Sequence, residues 1–238
     1  MVASRGEALP TDYDDDPGRF AANQRATSRF SAAGDIHPLV AARLAEEGAR
    51  PVLDVGGGNG VLGRLLADAG VPAVVLDAAA YVVQAPRPAV RADALALPFA
   101  DGVFGAAAAL WMLYHFADPA PVLAEVRRVL RPGGLLAVSA PSRRNDPELS
   151  AVLPNWGRRL SFDAEVAPAV VGEVLDVVGV TSWDEPLVSL SDRAAVALYL
   201  RGRGLSEPAA RDASLRVATP LRVTKRGSLV WARRRAHD

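Results

Sequence analysis

The sequence predicts an α/β fold, a doubly wound and mainly parallel sheet with helices on both faces, and three observations predict it. Short apolar runs alternate with helical periods through the first 140 residues, an order that implies parallel strands joined by right-handed crossovers. A glycine-rich turn, Gly56-Gly57-Gly58-Asn59-Gly60, sits where the first run meets the next helical period, the place at which such sheets bind ligands. The composition, 50% hydrophobic and 23% charged over 238 residues, is that of one globular domain large enough to bury its own core.

Taken in order, the elements are these. On a helix through Pro17 to Ser31, the side chains of Phe20, Asn23, Thr27 and Phe30 fall on one stripe. Ile36, Leu39, Val40 and Leu44 follow helical spacing, with Asp35 ahead of them, Pro38 near the start and Gly48 at the end. Pro51 to Val55 is an apolar run closed by glycines, and Leu62, Leu65 and Leu66 mark one side of a helix over Val61 to Gly70. Ala73 to Asp77 reads as a second strand, Ala89 to Ala92 as a weaker third beyond Pro86 and Pro88, and Val103 to Leu110 as a buried fourth. Asp118 caps and Pro119 opens a helix carrying Val122, Leu123, Val126, Val129 and Leu130, which Pro132, Gly133 and Gly134 stop before a fifth strand at Leu135 to Ala140. The run Val166, Val170, Val171, Val174, Leu175 and Val178 predicts a further helix, capped by Ser161 or Asp163 and ended by Gly179. A strand over Val180 to Leu190, helices over Arg193 to Gly204 and Glu207 to Val217, and a last strand at Ser228 to Arg233 complete the chain.

The absence of cysteine removes disulfides, thiolate metal sites and cysteine nucleophiles together, and three scattered histidines suggest no metal site. Formal charge is zero, yet residues 1 to 120 hold nine basic and fourteen acidic residues against eighteen and thirteen in the remainder. The basic C-terminal third favours an anionic ligand, while the acidic half dilutes long-range steering of nucleic acid. Met1 to Asp16 carries one arginine, five acids and no apolar segment, so it does not read as a secretory signal. No run reaches the roughly 18 to 20 apolar residues of a membrane span, and a cytoplasmic location is the expectation.

The glycine turn brings unpaired helix N–H groups to a strand end, which suits a nucleotide or a carboxylate. Its register is ambiguous by pattern alone. Gly58-Asn59-Gly60-Val61-Leu62-Gly63 fits the dinucleotide fingerprint, with Asp77 as a ribose ligand, which makes a nicotinamide-dependent oxidoreductase one reading. The other starts from Asp54 inside the strand end, followed at once by Gly56-x-Gly58-x-Gly60.

In that second register the sequence resembles the class I S-adenosylmethionine-dependent methyltransferases, whose first motif is an acidic residue followed by G-x-G-x-G. The resemblance continues through Val74-Val75-Leu76-Asp77, Arg91-Ala92-Asp93-Ala94-Leu95-Ala96-Leu97-Pro98-Phe99, Leu113-Tyr114-His115-Phe116 and Leu130-Arg131-Pro132-Gly133-Gly134-Leu135, and covers about residues 50 to 140. These strings look most like the small-molecule branch that includes ubiquinone and menaquinone methyltransferases and enzymes of bacterial secondary metabolism. The resemblance implies a Rossmann-like seven-stranded sheet of order 3-2-1-4-5-7-6 with the last strand antiparallel. It further implies that Gly56, Gly58 and Gly60, with Asn59 in the same turn, let the backbone approach S-adenosylmethionine, and that Asp54 fixes the turn and the methionine end. Asp77, with Ala78 beside it, would take the ribose hydroxyls, Asp93 the adenine amino group with Ala94 and Leu95 along the ring, and Leu110 and Trp111 the methionine arm. An arginine before the first strand, Arg25 or Arg29, would reach the methionine carboxylate.

Methyl transfer needs a nucleophile held in line and water excluded, and a base only where the acceptor is protonated. His115 is the candidate base, the one histidine expected near the site, since His37 precedes Pro38 and His237 is terminal. Tyr114, the Phe20, Asn23 and Phe30 stripe and Arg143 after the fifth strand are candidates for acceptor contact. The chain reads as one domain: a lid segment over residues 1–34, a cofactor-binding core over 35–190, a helical insertion over 191–220 and a final strand and tail over 221–238. The expected partner is a small-molecule acceptor, with an RNA acceptor on the basic C-terminal third as the alternative and a silent cofactor-binding partner as a third reading. On the last strand Lys225, Arg226 and Arg233 to Arg235 are candidates for phosphate contact, with a solvated strand as the default expectation.

Overall fold

Val52–Val55 forms β1, buried on both faces at the centre of a seven-stranded sheet. The computed structural model describes residues 16–32 and 34–236; residues 1–15 of the segment expected as a lid, and His237, lie outside them. The strands are β1, β2 (Ala73–Asp77), β3 (Ala89–Arg91), β4 (Phe104–Leu110), β5 (Leu130–Pro141), β6 (Asp176–Leu190) and β7 (Leu221–Arg233), and the helices are α1 (Pro17–Phe30), α2 (His37–Glu47), α3 (Val61–Asp68), α4 (Ala120–Val129), α5 (Ala167–Val174), α6 (Arg193–Gly202) and α7 (Glu207–Leu215). The order is β3-β2-β1-β4-β5-β7-β6, and β7 runs antiparallel to both its neighbours, as the resemblance implied.

The alanine-rich β4 shows why the sheet is doubly covered. Ala107 and Ala109 join Leu53, Val55, Leu136 and Val138 beneath α4 and α5, whereas Ala106 and Ala108 join Val52, Leu135 and Ala137 beneath α2 and α3. The two-residue alternation of a strand sends these small side chains to opposite faces, and helices exclude water from both. A third cluster lies beyond the sheet edge, where Ala26 of α1 packs with Val196, Tyr199 and Leu200 of α6, Ala210 and Ala213 of α7, and Val188 and Val223. The N-terminal helix and the helical insertion therefore form one cover.

Four boundaries differ from the sequence expectation. α5 stops at Val174, so Val178 and Gly179 belong to β6; this run of β-branched residues forms the outer strand of the sheet, where Val178 and Val180 are exposed. Neither proposed cap serves α5: Ser161 donates to the Phe116 carbonyl, and the Asp163 carboxylate accepts from the Leu160 amide and from Arg143. β5 starts at Leu130 and β7 at Leu221, because the Gly133 and Gly134 backbone pairs with Arg234 and the long β6 pairs with β7 down to Leu190. At α4, Asp118 accepts the Ala120 amide and Pro119 is the cap, one position later than expected.

Candidate active site

The carboxyl ends of β1, β2 and β4 open into a cavity of about 1560 Å³ whose far walls come from α1, α6 and β7. At its floor Gly56, Gly58 and Gly60 take φ of 66°, 60° and 83°, the left-handed backbone a strand needs to fold at once into α3. At Gly60 a side chain would meet Pro86 at 2.5 Å, so the turn has neither the conformation nor the room for another residue. Gly58 donates its amide to Asp77 Oδ2 at 2.8 Å, and Ala79 donates to Oδ1 at 2.8 Å. Asp77 and the exposed Ala78 line the cavity. Asp54 lies under the turn, buried, with its Oδ2 making no hydrogen bond. Burial pushes its carboxyl up to about 7; nearby His37 opposes that shift and Asp77 adds to it.

Asp93 and Ala94 line the same cavity, with Asp93 Oδ1 accepting the Leu95 amide at 2.9 Å, while Leu95 itself packs against the core beneath α4. Leu110, Trp111, Tyr114 and His115 follow around the wall. Trp111 has a left-handed φ of 58°, and its indole Nε1 donates to Asp35 Oδ1 at 3.1 Å and its ring meets Trp183 edge-on at 6.0 Å. The His115 ring tilts against Tyr114 at 4.6 Å. His115 is not the only histidine here, because His37 also lines the cavity, with Nδ1 3.1 Å from Asp35 Oδ2. Burial lowers the His37 pKa, the Asp35 carboxylate more than reverses this, and the net shift is upward. The sequence set His37 aside because it precedes Pro38; in the fold it is the first residue of α2 and acts electrostatically on Asp54.

Helix α1 closes over the turn. Phe20 stacks on Tyr81 with ring centroids 4.5 Å apart, and Gln24 and Asn59 exchange hydrogen bonds through their side-chain amides. Asn23 and Arg25 also line the cavity, Arg25 donating to the Ala21 carbonyl of its own helix. Phe30 departs from the expected stripe: it packs into the cluster with α6 and α7, with Arg29 over its ring, because the chain end of α1 dips toward the insertion. Arg143 reaches the cavity but is held by Asp163 at 3.2 Å and by Glu165 at 3.6 Å.

One group of cavity residues escaped sequence reasoning. Lys225 is not solvated: its Nζ donates to Asp146 Oδ1 at 2.7 Å and to the Tyr199 hydroxyl at 3.0 Å. Arg203 donates to Asp146 Oδ2 at 2.8 Å, Tyr199 at 2.7 Å and Asn23 Oδ1 at 2.9 Å, and the Tyr199 hydroxyl donates to Asp146 at 2.8 Å. Tyr199 and Arg203 lie one helical turn apart on α6, but the other bonded pairs are 26 to 180 positions apart, so no local pattern marks the group. The single lysine of the chain was the one available signal. Among the described residues there is no group of three side chains suited to a metal ion, and no helix long and apolar enough to cross a membrane.

Comparison with known proteins agrees with this geometry. The methyltransferase domain model matches residues 53–138, from β1 to the middle of β5. A demethylmenaquinone methyltransferase of Corynebacterium kroppenstedtii is 34% identical over 135 residues, 52% of this chain and 59% of that one. A malonyl-[acyl-carrier protein] O-methyltransferase of Pseudescherichia vulneris is 31% identical over 173 residues, 70% of this chain and 69% of the relative. A Bacillus halodurans protein of known crystal structure shares the fold with a TM-score of 0.62 at 18% identity, over 83% of this chain and 98% of that one. The match to the domain model, the extended match to the second relative and the glycine turn coincide, and the chain belongs to the family of S-adenosylmethionine-dependent methyltransferases.

Proposed function

We propose that this chain transfers a methyl group from S-adenosylmethionine to a small-molecule acceptor. The observation that carries the reading is the joining, in one cavity, of the glycine turn with its Asp77 carboxylate and of space beyond it. A drug-sized ligand fills about 300 to 1,000 Å³, and the cavity of about 1560 Å³ holds a cofactor and a second molecule together. The donor set suits the cofactor: Asp77, on the cavity wall, is a carboxylate able to accept from ribose hydroxyls, and Asp54 lies buried beneath the turn that would meet the methionine end.

When bound, S-adenosylmethionine supplies an electrophilic methyl group on a sulfonium. In this reading Gly56, Gly58, Asn59 and Gly60 admit it by their backbone, Asp77 and Ala78 hold the ribose, Asp93 and Ala94 the adenine, with Leu95 turned to the core behind them, and Leu110 and Trp111 the methionine arm. Arg25 serves the methionine carboxylate. Phe20 on Tyr81 shuts water out above the turn, and Trp111 with Trp183 does so beside β4. For a hydroxyl acceptor, His115 and His37 are the two imidazoles of the wall able to take its proton.

The pairing of the basic tail supports a small acceptor over RNA. Arg226 is 2.8 Å from Asp184, Arg233 is 2.6 Å from Glu47 and Arg235 is 3.0 Å from Asp176, while Arg234 donates to the carbonyls of Arg127, Arg128 and Leu130. Cations so engaged are poor phosphate contacts. The relatives named above take their names from different acceptors, and their names do not choose one for this chain. The test is incubation with methyl-tritiated S-adenosylmethionine and parallel pools of hydroxylated and carboxylated small molecules, transfer RNA and protein. Label passing into low-mass product alone is expected; label in RNA would overturn the reading.

A further inference from the structure

We propose that the acceptor bears a carboxylate on an apolar body, and that Lys225 and Arg203 hold that carboxylate in the cavity wall formed by β7 and α6. The inference rests on the methyltransferase reading and gives its acceptor a chemical class. It begins from charge. Two cations, Lys225 and Arg203, share one buried carboxylate, Asp146, with the neutral Tyr199 hydroxyl and the Asn23 amide completing the set. A staple between β7, α6 and the segment before residue 147 would be balanced with one cation. The second cation has no carboxylate of its own in direct contact, an arrangement that a bound anion would complete.

Donor capacity agrees. An ammonium has three N–H bonds and a guanidinium five; Lys225 uses two and Arg203 three in the contacts above. Both residues line the cavity, with side chains 19% and 24% exposed. Burial first, and then Arg203, push the Lys225 pKa down to about 8, the behaviour of a cation short of counter-charge, although Asp146 and the more distant Asp35 oppose the shift. Glu148 stays ionised, but both its oxygens are taken by the Thr224 amide and hydroxyl, so among the described residues Asp146 is the one carboxylate in direct contact with either cation.

Position agrees as well. Trp183, which meets Trp111 at the end of β4, lies against Gly227 of β7. Lys225 is two residues along that strand, about 7 Å at the rise of an antiparallel strand. A carboxylate on Lys225 and Arg203 would thus leave its apolar body along Trp183, Trp111, Tyr114 and Phe116, which line the route toward the proposed methyl position. The carboxylate is the anchor, and the methylated atom lies elsewhere on the acceptor.

The experiment is calorimetric titration of the full chain with matched pairs, benzoate and benzamide, 2-naphthoate and 2-naphthamide, octanoate and octanamide, each with and without S-adenosylhomocysteine. A hydrogen-bonded charge contributes enough to predict that at least one carboxylate binds about tenfold to a hundredfold more tightly than its amide. Lys225→Met should abolish the preference and Lys225→Arg should keep it, with S-adenosylhomocysteine affinity unchanged in both. If Lys225→Met does not fold, Arg203→Met and the wild-type pairs decide. Equal binding of every carboxylate and amide by the wild type, or full preference in Lys225→Met, overturns the proposal. Failure of S-adenosylhomocysteine to bind while the carboxylate preference persists strikes the methyltransferase reading instead and leaves the anion site standing.

Discussion

The amide of Gly58 donates to Asp77 Oδ2 at 2.8 Å, tying the glycine turn after β1 to the last residue of β2 across 19 positions of sequence. One carboxylate thus fixes the backbone of the turn and presents its remaining lone pairs to the cavity. Asp77→Ala should therefore do two things. It leaves the Gly58 and Ala79 amides without their acceptor, which should lower stability to urea by about 1–3 kcal/mol, and it should weaken S-adenosylhomocysteine at least tenfold through lost charge-assisted bonds. Calorimetry and urea unfolding read these separately; unchanged affinity would remove Asp77 from the cofactor site.

Asp54 makes stability depend on pH. Its carboxyl is raised in the folded chain from 3.8 to about 7, so the folded state binds the proton more tightly than the unfolded one. Its contribution is fully present below about pH 4 and is lost as pH rises through 7. Asp54→Asn, neutral throughout, should be more stable than wild type at pH 8 by roughly 1–3 kcal/mol and should show a smaller difference at pH 5. The same variant should bind S-adenosylmethionine more weakly. Parallel urea stabilities of the two proteins from pH 4 to 8 would contradict this account.

The cover formed by α1 should respond to cofactor. Phe20 on Tyr81 and the reciprocal Gln24 and Asn59 bonds join α1 to the turn. Hydrogen exchange should show amides of residues 18–28 protected by S-adenosylhomocysteine. Phe20→Ala, losing a stacked pair worth about 0.5–1.5 kcal/mol, should raise the dissociation constant roughly threefold to tenfold. Unchanged exchange in α1 would make it a docking helix only.

Arg128 offers a contrast in which stability and binding separate. It donates to both oxygens of Glu125, to Asp101 and to the carbonyls of Leu97 and Phe99, pinning the loop beyond Asp93 from outside the cavity. Arg128→Ala should cost about 1–3 kcal/mol in urea unfolding with little change in S-adenosylhomocysteine affinity; a large affinity loss would show that this loop transmits to the adenine side.

The sheet and the glycine turn were legible because their signals are local. A strand and three glycines must be contiguous to make the turn, Asp77 ends the very next strand, and the four alanines of β4 needed only covering on both faces to become a strand. Val178 misled because its helical spacing to Val174 is indistinguishable from a β-branched edge strand until the pairing with β7 is known. The wall around Asp146 was illegible for the opposite reason. Asn23, Asp146, Arg203 and Lys225 meet only through tertiary packing, and a lysine on a weakly alternating strand gives no sign that it faces inward. His37 was hidden in the same way, set aside because it precedes Pro38 until the fold shows it acting on Asp54.

The central claim is a cofactor site on the glycine turn held by Asp77, and calorimetric titration with S-adenosylhomocysteine, NAD and NADP in parallel tests it most directly. Saturable binding of S-adenosylhomocysteine alone, lost in Asp77→Ala, is the predicted result. Binding of a nicotinamide nucleotide without S-adenosylhomocysteine would contradict it, and would mean that Gly58 to Gly63 is the working register of the turn.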